Sequence, residues 1–298
     1  MAQGDNPVVQ QRRLRAELRR IRDDARMTQK EVADALEWST SKIIRIETGG
    51  VGISKTDLIA LLRHYGVEEQ RVDELVEVAR ISRQSAWWDQ YRDRFTPEFI
   101  RFIGYEQSAK LIRTFAALTI PGVLQTRAYA TAILESFNTP VDRISLNVDV
   151  RLKRQELLDQ ADPPELFFIL DEAVVRRWVG GPEVMREQLL KLKELNNHPH
   201  VSIQIARFDI GAYLGMKGSF GVLEFPQDQD YVVLVEHAHG DELIQNNPER
   251  ASGFVATFFD LEALASPKSE TDSILDEILA TIPGGKPAKK GAAATTGS

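Results

Sequence analysis

The chain contains no cysteine, so disulfide frameworks, thiolate zinc sites, iron–sulfur clusters and cysteine nucleophiles are excluded. No stretch approaches the roughly 18 apolar residues of a spanning helix, and the N-terminus carries no apolar run. The reading is a soluble, cytoplasmic chain with no membrane partner, associated with the nucleoid only through any DNA it binds. What is present is ordinary: 298 residues, 43% hydrophobic and 27% charged. That usage rules out a mostly disordered chain, and the length suggests two or three domains.

A net charge of −7 taken alone argues against nucleic acid. Its distribution says otherwise. Residues 10–63 carry 12 Lys/Arg against 8 Asp/Glu, whereas residues 64–298 carry 25 against 35. A basic block on an acidic body fits one nucleic-acid-binding domain attached to a domain with other partners. The bland alternative is a pair of solvated faces.

Five short helices are expected in the first eighty residues. Leu14, Leu18, Ile21 and Ala25 recur at helical spacing, with arginines on the other faces. Thr28-Gln29-Lys30-Glu31 has the form of a capping box, and Val32, Ala33 and Leu36 give the second helix its apolar side. After a break at Glu37-Trp38, Ser39 is an N-cap for a third helix reaching about Thr48, stopped by Gly49-Gly50. Ser54 to Asp57 starts a fourth helix ending near Gly66, and Val72 to Ile81 reads as a fifth.

The runs Met27 to Leu36 and Ser39 to Gly49 closely resemble the Cro/C1-type (XRE) helix-turn-helix family over roughly residues 10–66. The resemblance places Thr40, Ser41 and Arg45 at base-contacting positions, with Ser39 and Lys42 at their edge. Ser41 and Arg45 lie one turn apart on a helix, and an arginine can take guanine through O6 and N7. Gln29 opens the second helix, where its amide and free backbone N–H groups can hold a phosphate. Arg22 and Glu47 match a buried ion pair of the family and read as a brace. The turn often has glycine in the family, and here it is Glu37. A side chain at positive φ costs about 1 kcal/mol, and this one adds negative charge near the DNA.

Residues 82–105 hold Trp87, Trp88, Tyr91, Phe95, Phe99, Phe102 and Tyr105. They read as a connecting aromatic helix, or as an exposed aromatic face for a partner. Helices are expected over 106–119, 124–137 and 141–160, with a solvated face near 149–159 that includes Arg151 and Arg154. Leu166 to Leu170 reads as a buried strand, Asp171 to Trp178 and Pro182 to Leu195 as helices, and Val201 to Phe208 as a strand. Phe220 to Phe225 and Tyr231 to Glu236 make a hairpin around Pro226 to Asp230. Arg250 to Leu264 and Ser269 to Leu279 close as helices. Gly211, Gly215, Gly218 and Gly221 mark a flexible segment, read as a plain loop or as a gate over a pocket.

Ile120 to Thr126, Gly180 to Arg186 and Gly218 to Phe225 resemble the C-terminal domain of the WhiJ-type, antitoxin-like actinobacterial regulators, over roughly 105–280. That resemblance implies a transcriptional regulator controlled by a small protein partner.

Residues for chemistry are few. His198, His200, His237 and His239 are read as edge and loop histidines rather than metal ligands. Asp171-Glu172 and Asp241-Glu242 are adjacent pairs that support no two-carboxylate mechanism, and Gly180-Gly181-Pro182 lacks a phosphate-loop lysine. The expected fold class is α+β: an all-α five-helix DNA-binding domain, then a mixed α+β domain with a small sheet. The expected order is a flexible N-terminus over 1–9, the helix-turn-helix domain over 10–81, the aromatic connector over 82–105, a regulatory domain over 106–280 and a disordered tail over 281–298. The expected function is a sequence-specific, repressor-like regulator. It binds duplex DNA in the major groove as a homodimer on a two-fold operator and has a small regulatory protein partner. No cofactor, metal or catalytic residue is expected. The alternatives are a ligand-sensing or enzyme-like C-terminal domain anchored to DNA, and a scaffold that has lost DNA.

Overall fold

Short polar side chains open the first four helices. Asn6 accepts from the Val8 N–H at 2.9 Å and starts α1 (Pro7–Asp24), with Pro7 in the first turn. Thr28 and Glu31 close the capping box of α2 (Gln29–Ala35), at 3.2 Å to the Glu31 N–H and 2.8 Å from the Thr28 N–H. Ser39 caps α3 (Thr40–Thr48), which ends in left-handed Gly49 at φ +88°. Ser54 caps α4 (Lys55–His64), and α5 (Glu69–Ile81) follows. The computed structural model describes residues 6–225, 231–237, 240–245 and 247–283, and the chain divides into two compact units between Ser108 and Ala109.

Leu14, Leu18, Val32, Ala33, Ile43, Ile46, Leu58, Leu62 and Leu75 form the core of the first unit. Burying a leucine or isoleucine contributes about 1.5–3 kcal/mol, so this stripe from five helices holds the unit together. Ala33 is fully buried among its neighbours. Two expectations change here. The segment 1–9 is not wholly flexible: Pro7, Val8 and Val9 are helical, because the Asn6 amide donates to the Gly104 carbonyl at 3.0 Å and anchors the helix start. Residues 1–5 lie outside the described residues.

Nor do residues 82–105 form one helix. The chain turns through a 3-10 segment at Asp89–Tyr91, and only α6 (Pro97–Glu106) is helical, opened by Thr96. Pro97 forces the preceding residue into an extended conformation and so blocks a continuous helix. The fourfold aromatic spacing is used all the same. Trp87, Tyr91, Phe95 and Phe99 pack ring on ring, at 6.1, 6.3 and 5.0 Å between successive centroids.

The second unit is built on a six-stranded sheet of order β3-β2-β1-β4-β5-β6. Its strands are β1 (Leu111–Ala116), β2 (Glu165–Asp171), β3 (Val201–Ala206), β4 (Phe220–Glu224), β5 (Tyr231–Val235) and β6 (Glu242–Ile244). β1, β2 and β3 run parallel, and β4 to β6 add as an antiparallel meander. Between β1 and β2 the chain forms α7 (Arg127–Ser136) and α8 (Val141–Gln155); between β2 and β3 it forms α9 (Glu172–Arg176) and α10 (Pro182–Asn196). Parallel neighbours need such crossovers. From α11 (Pro248–Leu264), Ala251, Phe258 and Leu261 pack on Phe115, Ile169, Val222 and Val233 on one sheet face. The last helix, α12 (Lys268–Thr281), lies beside α10 and β3.

The helix expected over 106–119 is the central strand β1. Its apolar run is short, and only pairing with β2 and β4 on its two sides decides between the two periods. The helix expected to Trp178 stops at Arg176. The α8 face near 149–159 is not uniformly solvated. Arg154 is buried, and burial beside Arg154 pulls the Arg151 guanidinium down to about 10. The glycine segment 211–221 is folded as 3-10 turns at Phe208–Ile210 and Leu214–Lys217 before entering β4. Gly215 lies so close to the Phe115 and Tyr213 rings that a Cβ there would sit 2.5–2.6 Å from them. The tail expected from 281 is ordered at its start, where Thr281 ends α12 and Ile282 is buried; residues 226–230 of the hairpin, His239 and 284–298 lie outside the described residues.

Candidate nucleic-acid interface

α3 divides its residues cleanly. Ile43 and Ile46 enter the core, and Glu47 is buried beside them. Ser41, Ile44, Arg45 and Thr48 are exposed on the opposite side, with Thr40 half-buried at the start. Ser41 and Arg45 lie one turn apart on that side. The Ser41 hydroxyl sits 3.1 Å from that of Ser39, whose oxygen also accepts from the Lys42 N–H at 3.2 Å. Thr40 and Arg45 make no side-chain hydrogen bond or ion pair with any described residue, so both are available to an outside partner.

Two other sequence-selected residues are already engaged. The Lys42 ammonium pairs with Asp57 at 3.1 Å and stands 3.6 Å over the Trp38 ring, tying α3 to the first turn of α4. The Gln29 amide donates to Glu47 at 2.7 Å. Gln29 therefore stands at the start of α2 with its side chain anchored on α3.

Arg22 and Glu47 are paired in bidentate fashion, Nε to Oε1 at 2.7 Å and Nη2 to Oε2 at 3.1 Å. The Arg22 and Glu47 side chains are 12% and 3% exposed. Arg22 also donates to the Met27 carbonyl at 3.0 Å and to Asp23 at 2.6 Å. Hydrogen bonding to Glu47 holds the guanidinium above its ordinary pKa. Glu37 occupies the turn between α2 and α3 at φ +55°, exposed to solvent.

Sequence reasoning missed three contributors. Arg15 donates to the Gly49 carbonyl at 3.3 Å and Arg19 to the Glu47 carbonyl at 3.1 Å. Together they satisfy carbonyls that the end of α3 leaves open. The signal was legible: Arg15, Arg19 and Arg22 fall at i, i+4 and i+7, one face of α1. The third is Ile44, a large apolar side chain 41% exposed on the outward face of α3.

In the second unit the residues singled out from sequence serve the scaffold. His200 Nδ1 lies 2.7 Å from Glu165, and the His198 and His200 rings are 5.9 Å apart. His237 follows β5 rather than lying within it. Asp171 caps α9 and accepts from the Tyr213 hydroxyl, while buried Glu172 accepts from the Phe208 N–H at 2.7 Å and from Arg176 at 2.6 Å. The Ile120 to Thr126 segment is held by glutamines. Gln188 donates to the Leu124 carbonyl and accepts from the Thr126 N–H, both at 2.7 Å. Gln125 donates to Ile120 and Gln155 to Gln125, again at 2.7 Å.

The family comparison divides the chain in a similar way. A family model described as Domain of unknown function (DUF5753) matches residues 99–277, more than half of the chain. The chain belongs to this family. The DUF5753 match begins inside α6, ten residues before the second unit. A model described as a helix-turn-helix domain matches residues 13–75, which run from α1 into α5. The N-terminal unit is a helix-turn-helix domain of the Cro/C1-like kind, and the chain is a DNA-binding regulator. No curated protein and no solved structure matches the chain. Among the described residues, no helix is long and apolar enough to cross a membrane.

Proposed function

We propose that this DUF5753 chain reads duplex DNA through α3 and acts as a repressor-like transcription regulator governed by its C-terminal unit. Thr40, Ser41 and Arg45 meet base edges in the major groove, Ser39 and Lys42 border them, and Gln29, through the amide N–H not given to Glu47, meets a phosphate at the start of α2. The observation that carries this is the Arg45 guanidinium, paired with no described residue and projecting from an exposed helix face whose back is locked by Arg22–Glu47 and Lys42–Asp57. An arginine left without a protein partner on a braced helix is poised for a bidentate base contact.

The protein works as a homodimer, because one recognition helix reads too few base pairs to select an operator. The C-terminal unit is non-catalytic and receives a small regulatory protein, in keeping with the resemblance to WhiJ-type, antitoxin-like regulators. Supporting this, Leu118, Phe208, Leu214 and Met216 are 46–67% exposed. The topology brings all four to one end of the sheet: beyond the ends of β1 and β3 and before β4, which runs antiparallel to β1.

Competition footprinting on the DNA upstream of the native gene tests the reading. Arg45→Ala is expected to relax sequence preference with a loss of about 1–3 kcal/mol at one base pair. Gln29→Ala is expected to weaken binding evenly across sequences. Equal protection by wild type and Arg45→Ala would rule out the reading role.

A further inference from the structure

Arg151 is a half-buried cation on α8 whose guanidinium makes no hydrogen bond or ion pair with any described residue. Burial, together with the charge of Arg154, pulls it down to about 10. Arg154 is itself 8% exposed. At about 100° of turn per residue, Arg154 and Gln155 lie about 60° and 40° to either side of Arg151, on one face of the helix. That face meets the chain as it leaves β1. Gln155 donates to the Gly122 and Gln125 carbonyls at 3.4 and 2.7 Å. A Cβ on Gly122 would stand 3.2 Å from Arg154 Nη1 and 3.8 Å from Arg151 Cγ, so both arginines lie close along that backbone. A positive charge crowded by protein without a counter-ion is costly. Packing alone gives no reason for arginine at 151.

The place in the sheet points to a ligand. β2 and β3 lie on one side of β1 and β4 lies on the other, so the strand order reverses at β1. Ligand crevices in such sheets open outside the carboxyl ends of the parallel strands, at the reversal. Here the Ala117 N–H, just past β1, donates to the Ser219 hydroxyl at 3.1 Å, and the Ser219 carbonyl accepts from the Glu236 N–H at 3.2 Å. Glu236 is within reach of the charge of both arginines. It is exposed to solvent, yet burial and then Asp241 push its carboxyl up. Such a group lines a concave surface, open to water but crowded, and it is a weak counter-ion for the arginines.

We propose that Arg151, with Arg154 adding its charge, binds the carboxylate or phosphate group of a small anionic ligand at the carboxyl end of β1. A guanidinium fork meets either group through two parallel hydrogen bonds. The bound anion bridges α8 and the 117–126 segment. It gives the C-terminal unit a chemical input that is independent of the DNA-reading and protein-partner roles proposed above.

The full chain in a zwitterionic buffer without added salt is titrated with inorganic phosphate or with acetate, and with sodium chloride at matched ionic strength as the control. Amide hydrogen exchange is read at 117–126 and in α8. At an anion concentration ten times its Kd, wild-type protection is expected to rise about tenfold; which of phosphate and acetate acts identifies the head group. Sodium chloride is expected to leave protection unchanged. Arg151→Met is expected to lose the response and, in buffer alone, to match or exceed wild-type protection, because a charge without a counter-ion has been removed. Arg151→Lys keeps the charge without the fork and is expected to respond more weakly than wild type. Four results would each overturn the proposal: no response to either anion throughout the titration, an equal response to sodium chloride, an undiminished response in Arg151→Met, or lower protection of that variant in buffer alone. None of them touches the DNA-reading role of α3.

Discussion

Replacing Arg22 by alanine strips Glu47 of two of the three hydrogen bonds that described residues make to its carboxylate, leaving the Gln29 amide at 2.7 Å. With the Glu47 side chain 3% exposed, water cannot make up the loss. Breaking one side of a buried pair costs about 3–5 kcal/mol, mostly as the penalty of the charge left behind. The reverse change is milder. In Glu47→Leu the guanidinium keeps the Met27 carbonyl and Asp23, whose side chain is 60% exposed, so a cost of about 1–3 kcal/mol is expected. The sharp expectation concerns the double variant. Adding Glu47→Leu to Arg22→Ala removes the stranded carboxylate and restores stability, with a coupling of about 2 kcal/mol. Amide hydrogen exchange of the full chain reads this locally: protection of α1 to α3 amides falls at least about a hundredfold in Arg22→Ala. Amides of the six-stranded sheet serve as the internal control. A double variant no better protected than Arg22→Ala would refute the reasoning.

Three further expectations follow from particular contacts. Arg20 at 2.7 Å and Arg71 at 2.6 Å hold the Glu17 carboxyl down at about 2 by hydrogen bonding and charge. A depressed carboxylate stabilises the fold above its unfolded pKa, near 4.5, and that stabilisation is lost as pH falls toward 2. With Arg20 largely exposed it amounts to about 1–2 kcal/mol. The stability gap between wild type and Glu17→Gln should therefore close across that window in an acid titration, and a gap independent of pH would contradict it. Glu37→Gly relieves a side chain held at φ +55° and should stabilise α2 and α3 by about 0.5–1 kcal/mol by hydrogen exchange. Removing its charge should also tighten DNA binding most at low salt. Gln188→Leu orphans the Leu124 carbonyl and the Thr126 N–H at a cost of about 1–3 kcal/mol for each. The 120–126 segment should then exchange faster while α1 to α5 are unaffected.

Much of the N-terminal unit was legible because its signals are local. Thr28 with Glu31, Ser39 and Ser54 announce helix starts within four residues of chain, and Gly49 announces a stop, so neighbours alone carry the information. The outward set Thr40, Ser41 and Arg45 follows from helical period once α3 is placed. Other assignments depended on partners distant in sequence. Lys42 and Gln29 read as free contact residues until Asp57, Trp38 and Glu47 are brought beside them. Arg15 and Arg19 read as solvated until the end of α3 arrives.

The sequence by itself determined the helix-turn-helix, the acidic second region, the β4–β5 hairpin and most of the helices that flank the sheet. Each of these is specified by caps, periodicity or turn residues close in the chain. Tertiary structure decided that Leu111–Ala116 is the central strand, because it is held by β2 and β4, whose residues lie dozens of positions away. It decided that Arg154 is buried and that Ile44 is exposed on α3. A short apolar run or an isolated arginine has no preferred environment of its own; packing and pairing across the chain supply one.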